Sequence, residues 1–322
     1  MKTFLLKPSG KDYIWGGTRL KRQFYKELPL QPLAETWECS VHPDGPSFAA
    51  SGEMKGRTLA EVLSAHPEYL GTSPSVRNGG LHILVKLIDA KDNLSVQVHP
   101  DDAYASANEG GQEGKTEMWY VVDAEPGAKL VFGLNRMMTA EHLRGCLERG
   151  TLESCLHWVP VQKNDVFFIP AGTIHAIGSG VLIAEIQQSS NLTYRLYDYE
   201  RLGKDGRPRQ LHVDKALDVA DLSGSQHPRQ PMRVLRYRRG FAEESLCKCP
   251  YFQVERCLLK GEGVVLPPQP ESYRVMLCLE GAGCLYEGDS PLHFHKGDTL
   301  FIPANADDLE LSGGAELLIV RG

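Results

Sequence analysis

The chain has 322 residues, 42% of them hydrophobic, and a formal net charge of −6. That length allows one large domain or two ordinary ones. The charge, with no basic block, excludes nucleic acid as a partner. No apolar run reaches membrane-spanning length, and MKTFLLKPSG has too short an apolar core for a signal peptide, so no membrane partner and a cytoplasmic location are expected. The 8 cysteines are scattered and form no CxxC pair, which argues for free thiols and against a cysteine zinc site.

Taken in chain order, the first eighty residues are mixed. KDYIWGGTRL and AETWECSV read as strands and turns, and RTLAEVLSAHPEYL as a helix opened by a capping box of Thr58 and Glu61. From residue 81 the pattern is strongly β: LHILVKLIDA, LSVQVH, EMWYVVDA and AKLVFGL. MTAEHLRGCLERGTLESCL predicts one or two short helices. WVPV, DVFFIPAG, VLIAEIQQ and TYRLYDY return to strands, and HVDKALDVADL is a short helix. The polar stretch around SGSQHPRQP predicts a linker over 223–235. It separates an N-terminal unit, 1–222, from a C-terminal β unit, 236–322, built of short strands.

Residues 163–175, KNDVFFIPAGTIH, are echoed at 296–308 by KGDTLFIPANADD, with six of thirteen positions identical. Each copy is a turn, a short apolar strand and a proline-led turn, which predicts two related β-barrel units. The first copy ends in His175 and the second in Asp308. A metal site in the first unit would thus be missing from the second.

In LSVQVHPDDAYA, period two puts Leu94, Val96 and Val98 on one face and Gln97 and His99 on the other. Glu117 opens the strand EMWYVV, and His175 follows the turn IPAGT. Imidazoles and a carboxylate suit zinc and other divalent first-row metals. Taken singly, each is as well explained by an ordinary hydrogen bond or an exposed position. Taken together, their order is that of a metal-binding β-barrel. Asp101 and Asp102 read as the cap of a short helix, DAYASANEG. His293 and His295 lack a partner at 308, and Cys247 and Cys249 read as strand thiols. Arg207 and Arg209, in GRPRQ, read as a solvated loop.

The order His99, Glu117, PAGTIH resembles the two motifs of the cupin superfamily. More closely, QVHPDD, GKTEMWY, IPAGTIHAI and SSNLTYRLYDYER resemble type I mannose-6-phosphate isomerases of the short bacterial form. AETWECSVHPDGPS and IWGG match the same family. The resemblance implies a mainly β protein of two cupin-like jelly-roll units with a few short helices. It implies one zinc ion per chain on Gln97, His99, Glu117 and His175. It also implies catalytic roles for Arg195 and Lys115, and substrate binding by Lys86 and Arg195. The implied partner is a sugar phosphate, and the implied reaction interconverts mannose 6-phosphate and fructose 6-phosphate. The protein would act as a monomer or homodimer.

Pattern alone leaves several roles open. Arg195 would contact either the phosphate or a developing oxyanion. Lys86 lies in an apolar run and, if it points inward, needs an anion that a sugar phosphate would supply. The general base could be Lys115, a zinc-bound water or a carboxylate. Two other classes remain: a metal cupin with oxidative chemistry, which would call for iron and more histidines, and a non-catalytic sugar-phosphate binder.

Overall fold

The computed structural model describes residues 2–73, 80–224 and 234–322. Most of the expected linker, 223–235, lies outside them. The strands of the first unit are β1 Phe4–Lys7, β2 Ser9–Lys11, β3 Glu35–Cys39, β4 Phe48–Ala49, β5 Ile83–Ala90, β6 Val96–Val98, β7 Glu117–Ala124, β8 Lys129–Leu134, β9 Leu156–Pro160, β10 Val166–Ile169, β11 His175–Ile177, β12 Val181–Gln188 and β13 Tyr194–Tyr197. Those of the second are β14 Leu235–Arg238, β15 Phe241–Lys248, β16 Gln253–Leu266, β17 Arg274–Glu287, β18 Ser290–His295, β19 Thr299–Ile302 and β20 Leu309–Arg321. The helices are α1 Arg19–Phe24, α2 Leu59–Ala65, α3 Asp102–Asn108, α4 Ala140–Glu148 and α5 Val213–Val219. The expected mainly β architecture stands.

Three antiparallel sheets form consecutive layers. The middle sheet runs β10-β7-β12-β5-β3-β2, and the outer sheet β13-β6-β11-β8-β9. The third holds the C-terminal strands in the order β14-β15-β16-β20-β17-β19, with β18 paired to β17, and is extended by β1 and β4. The N-terminal strand thus joins the second unit, Phe4 facing Phe301.

The middle sheet is covered on both faces, which is why its strands are unbroken apolar runs. Val85 and Leu87 of β5, Met118 and Tyr120 of β7 and Ala184 and Ile186 of β12 pack with Val254, Val275, Leu277 and Phe301 of the C-terminal unit. The alternate residues Ile88, Trp119, Val121 and Ile183 face inward and meet Leu94, Leu130 and Ile177 from the outer-sheet side. The back of the outer sheet carries Val96 and Val98, which pack with Leu143 and Cys146 of α4 and Ala216 of α5. Val96 and Val98 are therefore roofed by helices, and Gln97 turns to the space between the sheets; Leu94, expected on the face of the valines, precedes β6 and packs on the inner side instead.

Local signals behave as their chemistry demands. Thr58 and Glu61 form the capping box of α2, and the Asp101 side chain accepts from Tyr104 N to cap α3. The echoed motifs become β10 and β19, each between turns. The interior of the second unit is apolar: Met276, Leu285, Phe294, Leu300, Leu311 and Leu317 pack where a site would open. Asp308, His293 and His295 are all exposed. One expected segment differs. Helix α1 follows the turn in KDYIWGGTRL, buried through Leu20 and Phe24 alone, too short to set a helical period.

A buried ion pair staples the units together. Glu38, 0% exposed, accepts from Lys26 Nζ at 2.7 Å, Thr36 Oγ1 at 2.6 Å and Thr299 Oγ1 of the second unit at 2.9 Å. Lys26 Nζ also donates to Gly297 O at 2.5 Å. Removing one partner strands a buried charge. Glu38→Ala is expected to cost about 3–5 kcal/mol in denaturant unfolding. An unchanged midpoint would contradict this role.

Candidate active site

Opposed strands of the middle and outer sheets aim polar side chains into one cleft of about 270 Å³. β5 contributes Lys86, β12 Glu185, β6 Gln97 and β13 Arg195 to its lining; Glu117 of β7 and His175 of β11 lie outside that lining and touch it through Lys115 and Gln97. Register does the assembling. Gln97 pairs with His175 on one side and Arg195 on the other. Lys86 lies opposite Glu185, and Gln187 of the same strand lies opposite Glu117.

His99 stands just beyond β6, and a turn secures it. Gly172 N donates to His99 O at 2.9 Å, which binds the PAGT turn before His175 to the strand carrying His99. Lys115 N donates to Pro100 O at 2.9 Å, and Gly114 N to Asp102 Oδ1 at 2.8 Å. This requires glycine at 114, because a Cβ there would lie 2.4 Å from Asp101 C. Asp102 also accepts from Gln188 Nε2 at 2.9 Å and from Tyr251 OH of the C-terminal unit at 2.8 Å. The aspartates after Pro100 thus cap a helix and also dock the loop that carries Lys115.

His99, Glu117 and His175 are buried, and their ligand atoms lie within 4.8 Å of one another. Glu117 Oε2 is 3.5 Å from His99 Nε2, and Oε1 is 3.2 Å from His175 Nε2. A tetrahedral zinc with bonds of about 2.0–2.1 Å spaces its ligand atoms by roughly 3.3–3.4 Å. His175 Nδ1 lies 2.8 Å from Thr173 O, which can only accept, so Nδ1 carries the proton and Nε2 is left bare for a ligand. Lys115 Nζ approaches Glu117 Oε2 at 2.8 Å and His99 Nε2 at 3.1 Å. None of these contacts to Glu117 is aligned as a hydrogen bond, so both its oxygens lack one, as does His99 Nδ1. A fully buried carboxylate with two unsatisfied oxygens beside two imidazoles fits a cation. Gln97 reaches the cluster too, its Nε2 3.3 Å from His175 Nε2. Turning the amide over would present Oε1 there instead.

Electrostatics support the same reading. Burial first, then the Lys115 ammonium, lowers the His99 pKa to about 3. Burial likewise lowers that of His175. Both shifts run toward the neutral imidazole that a metal ligand needs. Burial alone would raise Glu117, but Lys115 and the two histidines outweigh it and hold the carboxyl well below its usual range.

Lys86 points inward, and the anion that meets it is already in the protein. Its Nζ lies 3.0 Å from Glu185 Oε1 and 4.0 Å from Glu35 Oε2. Burial opposes its charge, yet these carboxylates outweigh it and raise its pKa. A sugar phosphate is thus not needed to explain its burial. Glu185 also accepts from Trp119 Nε1 at 2.9 Å and lies 4.0 Å from Lys115 Nζ. Sequence reasoning missed Glu185. The signal was there: LHILVKLI and VLIAEIQQ each hold one charge inside an apolar run, of opposite sign, in paired strands. Tyr13, Trp15, Ser95 and Asn191 complete much of the lining. Arg195, half-buried, donates from Nε to Ser95 Oγ at 3.2 Å and from Nη1 to Gln210 O at 2.9 Å.

Residues 3–126 match the family model for the phosphomannose isomerase type I catalytic domain, and residues 242–321 match that for the mannose-6-phosphate isomerase cupin domain. Mannose-6-phosphate isomerase ManA of Bacillus subtilis is 36% identical, over 97% of this chain and 96% of its own. The Streptococcus mutans mannose-6-phosphate isomerase is 36% identical over 95% and 93%. The crystal structure of a Bacillus subtilis mannose 6-phosphate isomerase superposes with a TM-score of 0.92 at 34% identity, covering 99% of both chains. A phosphomannose isomerase from Salmonella typhimurium shares the fold, with a TM-score of 0.77 at 17% identity over 99% of both chains. Full-length likeness of sequence and fold together place this chain in the type I mannose-6-phosphate isomerase family.

Proposed function

We infer that the chain interconverts mannose 6-phosphate and fructose 6-phosphate. The observation that carries the reading is the buried His99, Glu117, His175 cluster, joined through Lys115 and Gln97 to a cleft lined by Lys86, Lys115 and Arg195. The N-terminal unit, 1–222, would hold this chemistry. The C-terminal unit, 236–322, would support it without a metal of its own. No described helix is long and apolar enough to cross a membrane, and a cytoplasmic enzyme on a small sugar phosphate is the matching reading.

The reaction takes the proton from C2 of the open-chain aldose and returns it to C1, while a hydroxyl proton passes from O2 to O1. A cis-enediol lies between. His99, Glu117 and His175, with Gln97 as a fourth ligand, would hold one zinc ion per chain, which would supply Lewis acidity beside the substrate carbonyl. Lys115 lies where the ligand cluster meets the cleft, 4.0 Å from Glu185, so these two line the path a substrate proton takes. Lys86, held between Glu185 and Glu35, offers N–H groups to sugar oxygens. Arg195 supplies a fixed positive edge that strengthens as negative charge develops on substrate oxygen. The near-complete burial of Lys86, Lys115 and Glu185 limits water around them and strengthens each interaction.

The direct test is conversion of mannose 6-phosphate by purified protein, with metal content measured alongside. Chelation should abolish turnover, and zinc should restore it; absence of turnover in the zinc-loaded protein would sink the isomerase reading, and oxygen consumption with iron would replace it. His99→Ala should lose both bound metal and activity, whereas retention of either contradicts its assignment. Arg195→Ala should keep a full complement of metal while kcat falls about 100-fold or more. Normal turnover in that variant would remove Arg195 from the mechanism.

A further inference from the structure

The segment GRPRQ reads from composition as a solvated loop, and Arg207 is indeed exposed. Arg209 is not. It lines the same cleft as Lys86, Lys115 and Arg195. Its Nε donates to Asp198 Oδ2 at 2.7 Å and its Nη2 to Asp198 Oδ1 at 2.5 Å. Asp198 is 5% exposed and also accepts from Arg201 Nη2 at 2.6 Å. The following backbone is pinned to β13. Arg195 Nη1 donates to Gln210 O at 2.9 Å, His212 N donates to Arg195 O at 2.8 Å, and Arg195 N donates to His212 Nδ1 at 3.2 Å. Arg209 is thus held from the side by a carboxylate and from behind by a strand.

Two features separate this cluster from an ordinary structural ion pair. First, Arg201 and Arg209 bring two positive charges against the one carboxylate of Asp198, leaving a surplus of one. Second, Arg209 Nη1 and Arg195 Nη2 have no protein partner among the described residues. Guanidinium donors fixed at the wall of a cleft, with charge to spare, are suited to a bidentate oxyanion. Arg209 also lies away from the metal cluster along the strand. Arg195 pairs with Gln97 and Tyr197 with Val96, so Asp198, which holds Arg209, falls beyond Val96 on the side away from His99, and β-structure advances about 6–7 Å for every two residues. A six-carbon sugar whose C1 and C2 lie at the cluster extends its far end this way.

The geometry points to Arg209 as the residue that reads the phosphate of the substrate, with Asp198 as its positioning partner. The identity of the ester rests on the isomerase reading above; the demand for an oxyanion does not. Arg209 would then set the preference for a phosphorylated over a free hexose, while the reacting end is left to the residues already described.

The test uses full-length, metal-loaded protein and the variants Arg209→Ala and Arg209→Lys. Their turnover is measured with mannose 6-phosphate and with unphosphorylated mannose, and inorganic phosphate binding by calorimetry. Arg209→Ala should raise KM for mannose 6-phosphate about 10–100-fold and weaken phosphate binding to a similar degree. Its kcat and its kcat/KM for free mannose should stay within about threefold of the parent, and Arg209→Lys should recover part of the loss. An equal fall on both sugars would make Arg209 a structural residue and overturn the inference, as would an unchanged KM with unchanged phosphate binding. If the parent protein turned over neither sugar, the isomerase reading would fall on its own. Phosphate binding would still decide Arg209, weaker binding in Arg209→Ala upholding the inference and equal binding overturning it.

Discussion

The first unit is organised around one expensive group, the Glu117 carboxylate. It is 0% exposed and neither oxygen has a hydrogen bond. A buried carboxylate in that state would ordinarily take up a proton. Here the Lys115 ammonium first, then His175 and His99, pull its pKa well below the usual carboxylate range. Each of these comes from a different piece of backbone: a loop docked on Pro100, the start of β11 and the end of β6. The charge therefore stands only if three segments converge, and the convergence creates the set of donors that a divalent cation would complete.

The layered sheets explain how the chain sustains this. The middle sheet faces two ways, with apolar residues toward the C-terminal unit and a mixed face toward the outer sheet. Lys86 and Glu185 lie on the mixed face in paired register, so each buried charge has its counter-charge across one strand gap. The C-terminal unit has no ligand cluster among its described residues, yet it is not remote from the site. Its apolar face backs the strands that carry Lys86, Glu117 and Glu185, and Tyr251 holds Asp102, which docks the Lys115 loop.

Much of this was legible in the sequence, for definite reasons. Period-two alternation put Gln97 opposite Val96 and Val98, and an imidazole, a carboxylate and a second imidazole in order along the chain singled out His99, Glu117 and His175. The capping box at Thr58 and the echo at 163–175 are local patterns, and local patterns transfer to structure well. What stayed hidden depends on register or on distant chain. Glu185 looked like one charge in a greasy strand until its pairing with Lys86 was known. Arg209 sat among residues of loop composition, and only Asp198, eleven positions earlier, takes it out of solvent. The pairing of β1 with β19, nearly the whole chain apart, leaves no mark in either segment.

The central claim is that Glu117 is buried because a metal completes its surroundings. Anomalous X-ray scattering at the zinc absorption edge, from crystals of protein purified without chelator, tests it most directly. The account predicts one strong peak within about 2.0–2.2 Å of the nearest Glu117 oxygen and of both His99 Nε2 and His175 Nε2. A fully active crystal preparation with no peak there would contradict it.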